Sequence, residues 1–259
     1  MSETERFAIL MCGDERTIAL DEAALVVASY FHEHVDVDAR LREFDRLADG
    51  CGSSLDAILD RVFGQLGFRG NTIGYYDPDN SFLDSVLDRR LGIPITLSIV
   101  LSAIARRAGR HLECIGMPGH FLCRDAESGR YIDSFGGGVL LDEAACRRLF
   151  VQLHGDDAPW DQQMLAPIGS RGVIRRMLNN LAQIAIASND HRSRVIATRL
   201  RSVLPDSTTW ERTELARAYR ASGDFERAAC VLEATAAEAP VDEAQGLRYA
   251  AAELRALLN

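Results

Sequence analysis

Apolar side chains recur every three or four positions over most of the chain, and that spacing predicts helices. Ala24, Val27, Ala28 and Phe31 mark an amphipathic helix from Leu20 to about His32, and Leu41, Phe44 and Leu47 mark a second. Ser53 or Ser54 is suited to cap a third, with Leu55, Ile58, Leu59, Val62, Phe63 and Leu66 facing inward and Gly67 as its left-handed stop. The pattern breaks between Gly70 and Asn80, where Gly70, Asn71, Gly74, Asp77, Pro78 and Asn80 crowd together as turn formers. Ser81 stands where it can cap a short helix ending at Leu87, and Pro94 suits the first turn of a longer helix running to about Ala108. Leu97, Val100, Leu101, Ile104 and Ala105 make this last helix apolar nearly all round, which predicts burial, and Gly109 ends it.

The period then shortens. His111 to Gly116, Gly119 to Arg124 and Arg130 to Phe135 have strand-like composition, with a turn at Asp125 to Gly129 joining the last two. Val139 to Leu141 extends this antiparallel sheet, and Asp142 caps a helix through Leu153. A loop with Pro159, Trp160 and Pro167 separates this α+β part from an all-helical tail, so the expected domains are 1–168 and 169–259. In the tail, Leu215, Ala216, Tyr219, Gly223, Phe225, Ala228, Leu232 and Pro240 fall at the spacings of a tetratricopeptide repeat of about 34 residues. Val173 to Ile186 and His191 to Leu204 read as a degenerate copy of that unit, and Glu243 to Leu258 as a capping helix.

Composition narrows the function classes. The formal net charge of -9 gives no global attraction to phosphate, so neither nucleic acid nor an anionic membrane is expected as the main partner. The tail arginines Arg171, Arg175, Arg176, Arg192, Arg194, Arg199 and Arg201 spread over several helix faces without interleaved aromatics and read mostly as solvated surface. All 29 Lys+Arg positions are arginine, which excludes Schiff-base and other lysine chemistry from this chain. The apolar run Ile93 to Ala105 is too short and too interrupted by hydroxyls to cross a bilayer, and the acidic start lacks an export pattern, so a cytoplasmic protein is expected. Six scattered cysteines without a Cys-x-x-Cys pair read as free thiols.

Chemistry concentrates around His120. The run Gly116-Met-Pro-Gly-His120-Phe-Leu122 and the run Tyr131-Ile-Asp133-Ser-Phe135 are expected on adjacent strands of a hairpin, bringing the imidazole beside the carboxylate of Asp133. Such a pair is the base and its orienter in a catalytic triad, or a buried histidine satisfied by a carboxylate. Cys123 is expected on the opposite strand face from His120, and Cys114 in the core. No metal is expected, because His120, Cys123 and Asp133 do not form a recognised ligand spacing, and no cofactor motif is present. The loop Tyr75, Tyr76, Asp77, Pro78, Asn80 reads either as the wall of a cleft or as a turn bonded to itself, and Arg89 and Arg90 as partners of Asp84 and Asp88.

The residues Gly70-Asn71, Tyr75-Tyr76-Asp77-Pro78, Asn80-Ser81, Arg89-Arg90, Gly92-Ile93-Pro94-Ile95-Thr96-Leu97-Ser98, Pro118-Gly119-His120-Phe121-Leu122 and Asp133 carry a family resemblance. The chain resembles the transglutaminase-like core of the papain-type cysteine hydrolases. It is more closely similar to a bacterial family, the SirB family, in which such a core precedes tetratricopeptide repeats and which shares its core with some F-box proteins. The resemblance implies an α+β fold with His120 and Asp133 in catalytic positions, and a groove in which Asn71, Tyr75, Tyr76, Asp77, Asn80, Arg90, Pro94, Thr96 and Ser98 contribute to binding. It also implies a nucleophilic cysteine at the start of the buried helix, at or near Pro94, yet no cysteine occurs between Cys51 and Cys114. A non-catalytic module with a protein or peptide partner is therefore expected. The alternatives are an amide hydrolase or acyltransferase using His120 and Asp133 with a hydroxyl or relocated thiol, and a receptor for a peptide or small ligand in the old substrate groove.

Overall fold

The fold is that of a computed structural model, which describes residues 3–258. Three helices open the chain, α1 (Glu3–Cys12), α2 (Leu20–Ser29) and α3 (Val37–Ala48), the last capped by Asp36 on the Ala39 amide. Ser54 caps α4 (Leu55–Leu59) by accepting from the Ala57 amide. The expected continuation to Leu66 is not α-helical: Asp60–Gln65 forms a wider turn closed by Leu66 N–H donating to Arg61 C=O. Gly64 makes room for that widening, since a Cβ there would lie 2.6 Å from Asp60 Oδ1. Gly67 ends the element at φ +71, the left-handed conformation that glycine adopts without strain.

A two-residue parallel pair follows, β1 (Arg69–Gly70) with β2 (Leu91–Gly92), enclosing the turn-rich loop and α5 (Leu83–Arg89). Ser81 does not cap α5. The cap position is Phe82, and the Ser81 hydroxyl is buried without a hydrogen-bond partner among the described residues. α6 (Pro94–Arg107) is the central element: Leu97, Ile99, Val100, Leu101, Ile104 and Ala105 are all fully buried. Helices α2, α3, α4 and α5 and the strand segments Leu112–Ile115 and Leu122–Asp125 pack on it, which is the burial its all-round apolar surface demands.

The sheet has the order β6-β5-β4-β3-β7, from β3 (Leu112–Ile115), β4 (Leu122–Asp125), β5 (Tyr131–Asp133), β6 (Val139–Leu141) and β7 (Pro167–Ile168), all antiparallel. Between β6 and β7 lies α7 (Glu143–His154), capped by Asp142. The edge strand β7 lies outside the sequence expectation because two residues carry no periodicity; only pairing to β3 makes it a strand. The β4–β5 turn is fastened by Asp125, which is fully buried, accepts from the Ser128 amide and hydroxyl, and pairs with Arg110 through both oxygens at 2.7 and 2.8 Å.

The helical tail comprises α8 (Ser170–Ala187), α9 (His191–Ser202), α10 (Thr209–Ala221), α11 (Phe225–Glu238) and α12 (Val241–Ala256). Thr208 and Glu211 form a reciprocal cap at the start of α10, and Gly223, at φ +82, turns the chain into α11. Arg201 departs from the solvated surface expected of the tail arginines. It is buried, hydrogen-bonded to Asn179 and stacked on Trp210. The chain divides into two compact units, the first holding residues up to Phe7 together with Gly13–Ile174, the second Ala8–Cys12 together with Arg175 onward. No described helix is long and apolar enough to cross a membrane.

Candidate functional site

His120 does not lie on a strand. It occupies the turn ahead of β4, where its amide donates to Met117 C=O, and Gly119 supplies a positive φ of +74. From there its Nε2 reaches Asp133 Oδ1 at 2.9 Å, at the end of β5. The same oxygen accepts from the amides of Phe135 and Gly136, both at 3.1 Å. Burial opposes ionisation of Asp133, but the His120 bond and those two amides outweigh it and hold the carboxyl below its ordinary value. An ionised carboxylate only accepts, so the Asp133 contact places a proton on Nε2. Asp133 thus orients the imidazole and fastens the β5–β6 turn at once.

Aromatic rings lead outward from this pair. His120 meets the edge of Phe135 at 6.3 Å between centroids, Phe135 meets Tyr75 at 5.8 Å, and Tyr75 meets Tyr76 at 5.3 Å. His120 is 8% exposed, whereas Tyr76 is 82% exposed and Ile73 projects fully into solvent, so the row runs from core to surface. Gly70 lets Phe135 into this position, because a Cβ at residue 70 would stand 2.7 Å from the ring. Phe135, Gly70 and Ile73 were not singled out as site residues by sequence. The signal for Phe135 was its place two residues beyond Asp133, and for Gly70 its place at the edge of the turn-rich loop.

The loop residues are largely bonded to one another. Asn71 Nδ2 donates to Asn80 Oδ1 at 3.0 Å, and Asn80 Nδ2 donates to the carbonyls of Gly74 and Tyr75 at 2.6 and 3.2 Å. Asp77 caps the short 3-10 turn Pro78–Asn80 and pairs with Arg89 at 2.5 Å. The expected partners of the arginines are therefore replaced: Asp84 binds His32 and Asp88 binds Arg40, while Arg90 stacks on Phe68 and reaches Glu43 at 3.7 Å. Tertiary contacts brought these charges together across helices, which helical spacing cannot anticipate. Arg90 sits at φ +57, the left-handed end of α5.

At the start of α6, Pro94 and Ile95 are buried and the Thr96 hydroxyl is fully engaged, accepting from Ile93 N–H at 3.1 Å and donating to Asn80 C=O at 2.7 Å. Ser98 is buried one turn in and bonds Ser134 Oγ at 3.1 Å. Cys123, also fully buried, faces α6, with its sulfur 3.7 Å from Ser98 C=O and 3.6 Å from Ser102 Oγ. Cys114 is its partner across the β3–β4 ladder; the neighbouring Cys123 sulfur, with burial, pushes the Cys114 thiol well up, whereas Cys123 is drawn down by Cys114 and by the hydroxyls of Ser102, Ser98 and Ser134. Cys146 is pushed up to about 12 by burial and by the nearby carboxylates of Asp142 and Glu143.

A buried helix packed on an antiparallel sheet, with a histidine and an aspartate aligned at one end, defines a transglutaminase-like core. The family model described as the transglutaminase-like superfamily matches residues 19–179, and the chain belongs to that family. A UPF0162 protein of Xylella fastidiosa strain Temecula1 is 34% identical over 190 residues, covering 66% of each chain. A UPF0162 protein of Pseudomonas aeruginosa is 30% identical over 194 residues, covering 71% of this chain and 72% of its own. F-box only protein 21 of Mus musculus is 36% identical over 140 residues, covering half of this chain and 21% of the mouse protein. No solved structure matches.

Proposed function

We propose that this chain is an interaction module, in which a transglutaminase-like core without its helix-start thiol is joined to a tetratricopeptide-like tail that holds a peptide segment of a partner protein. The observation that carries this reading is the start of α6: the family's nucleophile belongs there, and this chain offers Pro94, Ile95 and a Thr96 whose hydroxyl is committed to Ile93 and Asn80. A serine or threonine hydroxyl, with a pKa far from neutrality, gains little from a helix start, and Ser98 is buried against Ser134. The related segment also makes up about a fifth of a mammalian protein named for its F-box, which fits a module that is joined to others.

The second unit supplies a surface suited to the role. A groove of about 560 Å³ runs between α10 and α12, with Leu232 of α11 in its lining. Ala216 leaves the space on one wall, and Leu247, Leu254 and Leu257 form an apolar stripe on the other. Arg220 stands exposed at the groove and has no ion pair among the described residues. Apolar side chains bounded by two guanidiniums, Arg217 and Arg220, against the one carboxylate of Glu253 fit a segment that carries leucine-like residues and a carboxylate. A second reading, amide-bond chemistry, draws on the aligned His120–Asp133 pair.

Two measurements on the full chain separate these readings. Peptides selected from a random display library should be rich in apolar and acidic residues, and Arg220→Glu should weaken them about tenfold, the loss of roughly 1.4 kcal/mol. Failure to select such peptides, or indifference to Arg220→Glu, would refute the groove. Limiting iodoacetamide from about pH 5 to 9 should alkylate each cysteine at rates indifferent to His120→Ala; one thiol that reacts fast below neutral pH and slows in that variant would establish the enzyme instead.

A further inference from the structure

Cys114 and Cys123 stand directly opposite each other on β3 and β4, so their side chains leave the sheet on the same face, toward α6. Directly paired residues of an antiparallel ladder have Cα atoms about 4.5–5.5 Å apart, within the roughly 4.4–6.8 Å that a disulfide spans. The ladder register already sets the two thiols side by side, so neither needs a backbone shift to approach its partner. They differ in access. Cys123 is fully buried, whereas Cys114, 8% exposed, lines with Ser102 a cavity of about 390 Å³ that also borders Asp21, Arg106 and Ile168. A small polar oxidant entering that cavity meets the Cys114 sulfur first. The segment joining the two cysteines, Ile115 to Leu122, is the one that carries His120.

We propose that Cys114 and Cys123 form an oxidisable dithiol that, on reaction with a peroxide, closes the two ends of the His120 segment with a disulfide. Access rather than acidity picks the first sulfur: Cys123 and burial hold the Cys114 thiol high, but the cavity reaches it and not Cys123. The Cys114 sulfur attacks one oxygen of hydrogen peroxide, the O–O bond breaks, and the thiol proton leaves with the departing oxygen as water, so that Cys114 becomes a sulfenic acid. Cys123 then attacks that sulfur; the S–S bond forms, the S–O bond breaks, and the Cys123 proton leaves with the hydroxide as a second water. Both sulfurs are oxidised and one peroxide is reduced. Ser102 and Ser98 lie within reach of Cys123 and give the nucleophile of the second step a polar surrounding in an otherwise apolar layer. The inference is independent of the peptide groove and of any turnover at His120.

The test treats the reduced full chain with one equivalent of hydrogen peroxide, blocks remaining thiols, and maps disulfides by mass spectrometry. The expected result is a Cys114–Cys123 linked peptide, two hydrogens lighter than the reduced pair, restored by dithiothreitol. Cys123→Ser should instead leave Cys114 as a sulfenic acid trapped by dimedone. Amide hydrogen exchange over residues 116–121 should slow at least threefold in the oxidised protein and recover on reduction. Oxidation of the exposed Cys12 or Cys230 while Cys114 and Cys123 stay reduced would overturn the dithiol, and unchanged exchange at 116–121 despite a formed bond would overturn its effect on the His120 segment.

Discussion

Replacing Thr96 by valine removes one oxygen and keeps the shape of the side chain, so it isolates what the hydroxyl does. In the fold that oxygen is fully buried and accepts from Ile93 N–H while donating to Asn80 C=O, tying the first turn of α6 to the end of the turn-rich loop. Valine leaves both backbone groups without this partner, at about 1–3 kcal/mol each, and returns about 0.8 kcal/mol for the added buried methyl. The net loss is about 1–5 kcal/mol, centred on about 3 kcal/mol, a large part of the roughly 5–15 kcal/mol that holds a domain folded. Thr96→Ser keeps the hydroxyl and loses one methyl, at about 1 kcal/mol. Each unit contains one of the two tryptophans, Trp160 and Trp210, so in a Trp210→Phe background urea unfolding followed by Trp160 fluorescence reads the first unit by itself. Valine should cost at least 1 kcal/mol more than serine with the same dependence on urea. Equal losses for the two variants would refute the clamp and restore Thr96 as a hydroxyl available for chemistry.

Gly70→Ala places a Cβ 2.7 Å from both the ring and the carbonyl oxygen of Phe135, and should lower stability by about 1–3 kcal/mol in the same assay. Asp125→Asn should cost about 3 kcal/mol near neutral pH, toward the lower end for a broken buried pair because Arg110 keeps Glu127 at 3.1 Å. Hydrogen bonds from Arg110 and then Ser128 hold the Asp125 carboxyl far below its unfolded value of about 3.9. A depressed carboxylate contributes stability above that unfolded value and loses it as pH falls toward the folded one, so the wild type should weaken steadily below about pH 4. In urea titrations at several pH values, Asp125→Asn should show a shallower acid slope; an unchanged slope would assign acid sensitivity to other groups.

Much of the helical framework was legible because each helix buries one face and declares it every three or four residues. The central helix was read as buried from its all-round apolar surface, and the structure puts Leu97, Val100, Leu101 and Ile104 at zero exposure. What eluded the sequence was short or long-range. The strands β1, β2 and β7 have two residues each and exist only through their partners, and the wide turn at Asp60–Gln65 depends on Gly64 lying beneath a carboxylate. Ser81 had the right residue type for a cap but is buried one position too early.

At the candidate site, the pairing of His120 with Asp133 followed from strand order and the turn between them, because hairpin connectivity is local. The position of His120 in a turn, the second duty of Asp133 on the Phe135 and Gly136 amides, and the ring row through Phe135 did not follow. Likewise the guanidinium of Arg89 settled on Asp77 and Asp79, and Arg90 on Phe68 and Glu43. By itself the sequence determined the family, the helix faces and the missing cysteine at the helix start, since these are properties of residue type and spacing. Only the tertiary structure decided which charges pair, which hydroxyls are spent and that Cys114 meets Cys123. Those outcomes depend on distances between segments remote along the chain, which packing sets.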